Sequence, residues 1–221
     1  MDEDRWRDVD EYLVSHLLPE DEALDEALAR SEAAGLPRIN VAANQGKLLE
    51  LLSKIHGSRR ILEIGTLGGY STIWLARSLP DDGTLLSLEL EAGNADVARA
   101  NIERAGLESR VEVRVGPAAR SLGELVAAGA DPFDFIFIDA DKESYTEYLD
   151  LSVQLSRTGT VIVADNVVRE GEVLNPDSPD SRVQGIRQFL EAASQSDRLD
   201  GTAVQTVGAK GYDGFALFVV K

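Results

Sequence analysis

The chain has no cysteine, one methionine and only two histidines among 221 residues. Without cysteine there are no disulfides, no thiolate metal sites and no thiol nucleophile. His16 and His56 sit in or at the end of N-terminal helical stretches without a visible partner, so both are expected to be surface residues. Long apolar runs are missing too. None approaches the roughly 18 residues of a membrane helix, and the opening MDEDRWRDVDEY is acidic where a signal sequence would be basic. Positive charge is scarce, with 22 lysines and arginines against 39 aspartates and glutamates. The resulting net charge of −17 repels phosphate backbones and argues against nucleic-acid binding. These absences predict a cytoplasmic protein with no membrane segment. Its acidity fits solvated surface charge and a saline habitat about equally.

What is present is a pattern. The 43% hydrophobic content supplies one sizeable core, and no internal repeat or long linker divides the chain. Apolar residues at three- and four-residue spacing predict helices at 6–18 (Trp6, Val9, Leu13, Leu17), 22–34 and 43–56, which make residues 1–57 a helical extension. Over 58–221, β-prone runs near 60–64, 84–88, 111–115, 133–138 and 160–164 alternate with helices near 70–79, 92–105, 118–128 and 143–156. Alternation of this kind predicts a parallel α/β sheet with helices on both faces. After a helix at 181–195, the runs 202–206 and 214–220 read as a closing antiparallel pair.

Four of the five alternating strands end in acidic or glycine-rich chemistry: Glu63 with Gly65, Glu89, Asp139, and Asp165 with Asn166. In an open parallel sheet, ligands bind at those carboxyl ends, where the strand order reverses. If the runs ending at Asp139 and Asp165 are neighbouring strands, three oxygen donors meet there, a set suited to a hard divalent cation such as Mg²⁺. The glycines of LEIGTLGGYS, taken alone, fit an ordinary strand-to-helix turn. Leu67 occupies the second glycine position of a dinucleotide fingerprint, which counts against a pyrophosphate ligand. Glu89, 24 residues after Gly65 at the next strand end, suits the two hydroxyls of a ribose. Glu63 suits a cation. A cofactor with a ribose and a positive charge follows, and S-adenosylmethionine has both.

With these motifs in view, the chain resembles the cation-dependent O-methyltransferases of the caffeoyl-CoA and catechol type, as a bacterial-type member. The resemblance runs from about Ile39 onward through INVAANQGKLLELL, LEIGTLGGYSTIWLA, LSLELE, VGPA, FDFIFIDADKESY, RTGTVIVADNVVREGEV and GFALFVVK, in the family's order. It implies a Rossmann-like sheet of seven strands with the last antiparallel. It implies that Val41, Glu63, Gly65, Thr66 and Ser71 hold the methionine end of the cofactor, Glu89 the ribose, and Ala118 the adenine, with Asp139 bordering the cofactor. Asp139, Asp165 and Asn166 become the ligands of Mg²⁺, or of Mn²⁺ or Ca²⁺. Lys142, beside Asp139 in the catalytic set, becomes the general base. The implied partner is a small hydroxylated acceptor, probed first among aromatic catechols or vicinal diols, and the implied assembly is a homodimer. Arg169 stands where some plant members carry an aromatic residue, and the loop VGAKGYDG also departs, so the acceptor class is what these positions decide.

Other residues have plainer readings. Asp141 is expected to N-cap the helix after it, Tyr145 and Tyr148 to pack, and Trp6 and Trp74 to lie in the core or a subunit interface. The N-terminal helices are expected to cover the acceptor pocket or form the dimer contact. Competing functions are a tRNA hydroxyuridine O-methyltransferase, opposed by the net charge, a nucleotide-binding dehydrogenase, opposed by Leu67, and a non-catalytic cofactor-binding module, opposed by the complete set of Lys142 and three oxygen donors.

Overall fold

The computed structural model describes residues 3–221. Apolar and β-branched runs form strands β1 (Arg60–Ile64), β2 (Thr84–Glu89), β3 (Val111–Val115), β4 (Phe133–Ile138), β5 (Ser156–Asp165), β6 (Leu199–Gly208) and β7 (Gly211–Val220). They make one sheet in the order β3-β2-β1-β4-β5-β7-β6, with β7 antiparallel to both its neighbours and the first five strands parallel. The Rossmann-like sheet with a reversed last strand is therefore present as expected. The helices are α1 (Glu3–Leu17), α2 (Glu22–Ala33), α3 (Ala43–His56), α4 (Tyr70–Arg77), α5 (Ala92–Arg104), α6 (Ala118–Ala127), α7 (Tyr145–Gln154) and α8 (Ser181–Gln195).

Side chains alternate across the sheet. Ile61, Phe135, Phe137 and Val163 pack beneath α2 to α5 with Leu24, Leu49, Ile73 and Trp74. Leu62, Ile64, Ile136 and Ile138 pack beneath α6 to α8 with Leu122, Tyr145 and Phe189. β4 is buried at every position, which is why it reads as an unbroken apolar run and not as an alternating one. Each such side chain removed from water contributes about 1.5–3 kcal/mol. Asp134, the one acidic residue in β4, accepts from the backbone N–H groups of Arg59 and Arg60 at 2.8 and 2.9 Å and pairs with Arg157. It closes the end of the sheet away from the cavity described below.

Several local expectations are corrected. β5 begins at Ser156 and not near Thr160, because pairing with β4 resumes across an irregularity near Gly159, where φ is 93°. The Thr-Gly pair bulges the strand without ending it. A single 3-10 turn (Lys142–Ser144) precedes α7, and Asp141 makes no side-chain cap to it; its carboxylate accepts from the Tyr148 hydroxyl at 2.6 Å. His56 is not partnerless. Its two ring nitrogens lie 3.0 Å from the Ser58 hydroxyl and 3.0 Å from the Gly159 carbonyl, tying α3 to the β5 bulge.

The amphipathic helix α1 is present, but a polar residue sets its rotation. Its one buried residue is Asp10, while Val9, Leu13 and Leu17 are 50, 41 and 71% exposed. Asp10 accepts from the Asn44 amide at 2.9 Å and from the Ala209 N–H at 2.7 Å. These two polar contacts outweigh the apolar stripe in setting the helix's rotation, since a buried carboxylate without donors would be far costlier than exposed aliphatics. α1 is thereby fastened to the start of α3 and to the two-residue tip between β6 and β7.

Candidate active site

The strand order reverses between β1 and β4, the place where an open α/β sheet leaves a crevice. Backbone bonds continue beyond the strands there: Asp139 N–H donates to the Ile64 carbonyl at 2.8 Å and Gly65 N–H to the Leu88 carbonyl at 2.9 Å. At Gly65 the chain has φ 98°, and a Cβ would fall 2.0 Å from the Asp139 carbonyl oxygen. The close approach of the end of β4 therefore demands glycine here. Gly69, at φ 81°, begins α4.

Above these ends lies a cavity of about 1420 Å³. Pockets for one ligand usually hold about 300–1,000 Å³, so the space accommodates two molecules together. Val41, Gly65, Thr66, Ser71, Glu89, Ala118, Asp139, Lys142 and Asn166 all lie on its wall. Glu63 and Asp165 do not. They stand behind the wall, 0% and 5% exposed, and reach the cavity through other groups.

On the β1–β2 side, carboxylates are surrounded by donors. Glu63 accepts from Ser71 and Ser87 hydroxyls at 2.6 Å each and from the Thr72 hydroxyl. Complete burial nevertheless pushes its carboxyl up to about 7, against those three hydroxyls. Glu89 accepts from the N–H groups of Thr66 (3.2 Å) and Leu67 (2.8 Å) through one oxygen, and from Glu91 N–H (3.0 Å) and the Asn94 amide (3.2 Å) through the other. Glu89 thus shapes the glycine turn while facing the cavity, and Glu63 underlies it, tied to α4 and β2.

On the β4–β5 side, Asp165 is pushed up to about 7 by burial and then by Asp139. Its oxygens accept from Asn166 N–H at 2.8 Å and from the Gln45 amide of α3 at 2.7 Å. Asn166 has φ 58°, and its side-chain amide makes no hydrogen bond among the described residues. Lys142 is buried, donating to Asp139 at 2.9 Å and to the Tyr145 hydroxyl at 2.7 Å. That hydroxyl lies 3.0 Å from the carbonyls of both Ile138 and Asp165, the last links of β4 and β5. Among the described residues no three His, Cys, Asp or Glu side chains cluster, so any cation here needs the Asn166 amide as a third donor.

Three residues of this architecture escape the sequence. Tyr145 packs as expected, edge-on to Phe189, but it also holds Lys142; its place three residues after a lysine in a strand-end motif was the available signal. Gln45 lies 120 residues from its partner Asp165, and no local pattern announces it. Asp213 accepts from Val168 and Arg169 N–H at 3.0 and 2.9 Å, fixing the loop after β5, again a contact only the fold creates.

Comparison with known proteins agrees with this arrangement. A family model described as O-methyltransferase matches residues 15–217. A catechol O-methyltransferase of Niastella koreensis is 50% identical over 216 residues, covering 98% of both chains. The crystal structure of an O-methyltransferase from Bacillus cereus in complex with SAH superposes with a TM-score of 0.97 at 54% identity over 99% of each chain. An O-methyltransferase from Streptomyces achromogenes, involved in tomaymycin synthesis and solved in complex with SAM, gives 0.96 at 48% identity over 100% of this chain and 99% of that one.

Proposed function

The chain belongs to the O-methyltransferase family, and on that premise we propose that it transfers the methyl group of S-adenosylmethionine to one hydroxyl of a small catechol-like acceptor beside a divalent cation. One observation carries this reading. At a single strand-order reversal, the glycine turn with Glu89 stands next to Asp139, Asp165, Asn166 and Lys142, around a cavity with room for two ligands. The SAM and SAH complexes of the Streptomyces and Bacillus proteins support the cofactor, and the name of the Niastella protein supports the acceptor class.

The residues fit a hard cation. Asp139 and Asp165 repel each other across a buried site, and Asn166 offers an unengaged amide on the wall. Bound there, Mg²⁺, Mn²⁺ or Ca²⁺ would make a neighbouring hydroxyl more acidic and favour acceptors with two adjacent oxygens. The chain's own groups do the rest. Val41, Gly65, Thr66 and Ser71 hold the methionine end of the cofactor, with Glu63 acting through Ser71. Glu89 takes the ribose and Ala118 borders the adenine. Lys142, fixed by Tyr145, removes the proton from the acceptor hydroxyl, whose oxygen then displaces the sulfur in line.

We read 58–221 as the Rossmann-like core and 1–57 as helices belonging to the same domain. The exposed aliphatics of α1 and α3, Leu17 and Ile55 among them, support a homodimer. Among the described residues no helix is long and apolar enough to cross a membrane, and the absence of cysteine suits the cytoplasm. The net charge of −17 leaves small molecules, and not nucleic acid, as the acceptor. The test is calorimetric titration with S-adenosylmethionine and with NAD⁺, followed by methyl transfer to diphenols, mono-phenols and bulk tRNA with and without chelator. Binding of the sulfonium alone and chelator-sensitive methylation of diphenols are expected. Undiminished activity in excess chelator removes the cation, and methylated tRNA reopens the acceptor.

A further inference from the structure

The segment after β5 holds most of the left-handed non-glycine backbone among the described residues. Asn166, Arg169 and Glu170 have φ of 58°, 54° and 56°, three of the four non-glycine residues in the left-handed region among those described. Such backbone persists only where its surroundings dictate it. Here Asp213 does so, its one oxygen accepting from Val168, Arg169 and Gly214 N–H at 3.0, 2.9 and 2.9 Å, while Val167 N–H donates to the Gly214 carbonyl at 3.0 Å. The clamp sets Asn166 and Arg169 on the wall of the cavity that also contains Lys142.

Arg169 is cationic, half-buried and unclaimed. Its Nε is buried without a hydrogen-bond partner, and its guanidinium forms no ion pair with a described residue. Asp180, the carboxylate whose charge it helps to favour, is already held by Arg182 through both oxygens. The buried Nε is closed to a ligand, so an anion in the cavity would meet the Nη edge of the guanidinium, which makes no hydrogen bond to a described residue. The same cavity contains a second loosely held cation. Lys210, at the β6–β7 tip, donates only to the Arg38 carbonyl at 3.0 Å, beside the Arg38 side chain itself. In a chain with net charge −17, both cations line a cavity whose wall also includes Asp10, Glu32, Glu89 and Asp139.

We propose that Arg169 is an anion-recognition residue, and that the acceptor is a vicinal dihydroxy-aromatic acid whose carboxylate the Arg169 guanidinium receives. The planar two-oxygen group matches the guanidinium fork, which a lone hydroxyl or a ketone does not. The inference deepens the methyl-transfer reading and rests on it, because it supposes that the two hydroxyls face Asn166 and Lys142.

The test compares 3,4-dihydroxybenzoate with its primary amide, which has the same shape without the charge. In the Mg²⁺-loaded enzyme, Arg169→Met should lower the acid-to-amide ratio of kcat/KM by about tenfold or more, the size of a lost charge-assisted hydrogen bond, with the change in KM. Arg169→Lys should recover part of it. Calorimetric titration of the acid and the amide into the S-adenosylhomocysteine complex reads the same preference without chemistry, and cofactor binding certifies that each variant is folded. An acid-to-amide preference that is absent in the wild type, or unchanged in Arg169→Met, overturns the proposal, as does a loss confined to Lys210→Gln. If the acid binds through Arg169 but neither compound is methylated, the catechol reading fails while the anion site stands.

Discussion

On the β1–β2 side of the cavity, carboxylates are surrounded by donors; on the β4–β5 side they have fewer donors and also repel each other. Glu89 takes four hydrogen bonds and Glu63 three, from the turn and helix that they shape. Asp139 and Asp165 share a buried edge with a lysine, next to an amide with no partner and a loop of left-handed residues. Backbone of that kind costs on the order of 1–3 kcal/mol per residue, and it is concentrated where the acceptor would sit. The difference teaches a division of labour. The first half is assembled before any ligand arrives and suits a cofactor that is the same in every turnover. The second half stores unmatched charge and strain, which suits it to a cation and an ionising acceptor.

The sharpest way to break this comparison is to remove the cation that the β4–β5 half supplies itself. Lys142→Met should lower kcat by about 10²–10⁴, the usual cost of losing a general base. Affinity for S-adenosylhomocysteine, held by the other half, should stay within about twofold of the wild type, because no shared hydrogen bond is cut. The loss should shrink for a nitro-substituted catechol, whose hydroxyl needs less help to ionise. An equal loss for both acceptors would make Lys142 a positioning residue, and the acceptor half would then differ from the cofactor half in strain alone.

The same division decides how much the sequence revealed. Strand-end residues were legible because a sheet puts every carboxyl end on one edge, so Glu89, Asp139, Asp165 and Asn166 announce themselves by position. Element order and the reversed last strand followed from apolar periodicity. What stayed hidden depends on distant partners: Gln45 on Asp165, Asp213 on the loop after β5, Asp10 on Ala209. α1 shows the limit most clearly. Periodicity identified the helix, but its rotation is set by one carboxylate whose donors lie in α3 and in the β6–β7 tip, and no pattern within α1 contains them.

A second prediction asks whether the β1–β2 half is satisfied in charge as well as in hydrogen bonds. Glu63 is pushed from 4.5 to about 7 by burial, so the folded protein holds this proton more tightly than the unfolded chain. Its contribution to stability is complete below pH 4.5 and is lost as the pH rises through about 7, a change on the order of 3 kcal/mol. Asp165 moves in the same direction, so the useful quantity is the gap between Glu63→Gln and the wild type. Urea unfolding of the cofactor-free proteins should show that gap shifting in favour of Gln between pH 5 and pH 8. A constant gap would mean that three hydroxyls suffice to keep Glu63 ionised, and the contrast with the other half would be complete.

The smallest effect belongs to Glu89, and it separates shaping the turn from touching the cofactor. Glu89→Ala should weaken S-adenosylhomocysteine binding by about tenfold, because a charge-assisted hydrogen bond to a ribose hydroxyl is worth on the order of 1.5–3 kcal/mol. Part of any loss will come from the turn, since Thr66 and Leu67 N–H groups lose their acceptor. Calorimetry with a 2′-deoxy analogue divides the two contributions. If Glu89 grips the ribose, the analogue starts weaker with the wild type and loses less on Glu89→Ala, so the two ligands converge. If Glu89 only builds the turn, both ligands lose the same factor, because neither touches the missing carboxylate. In that outcome the four donors around Glu89 are its whole function, and the cofactor's ribose must be held by Glu91 or Asn94, the other polar side chains that this edge of the cavity presents.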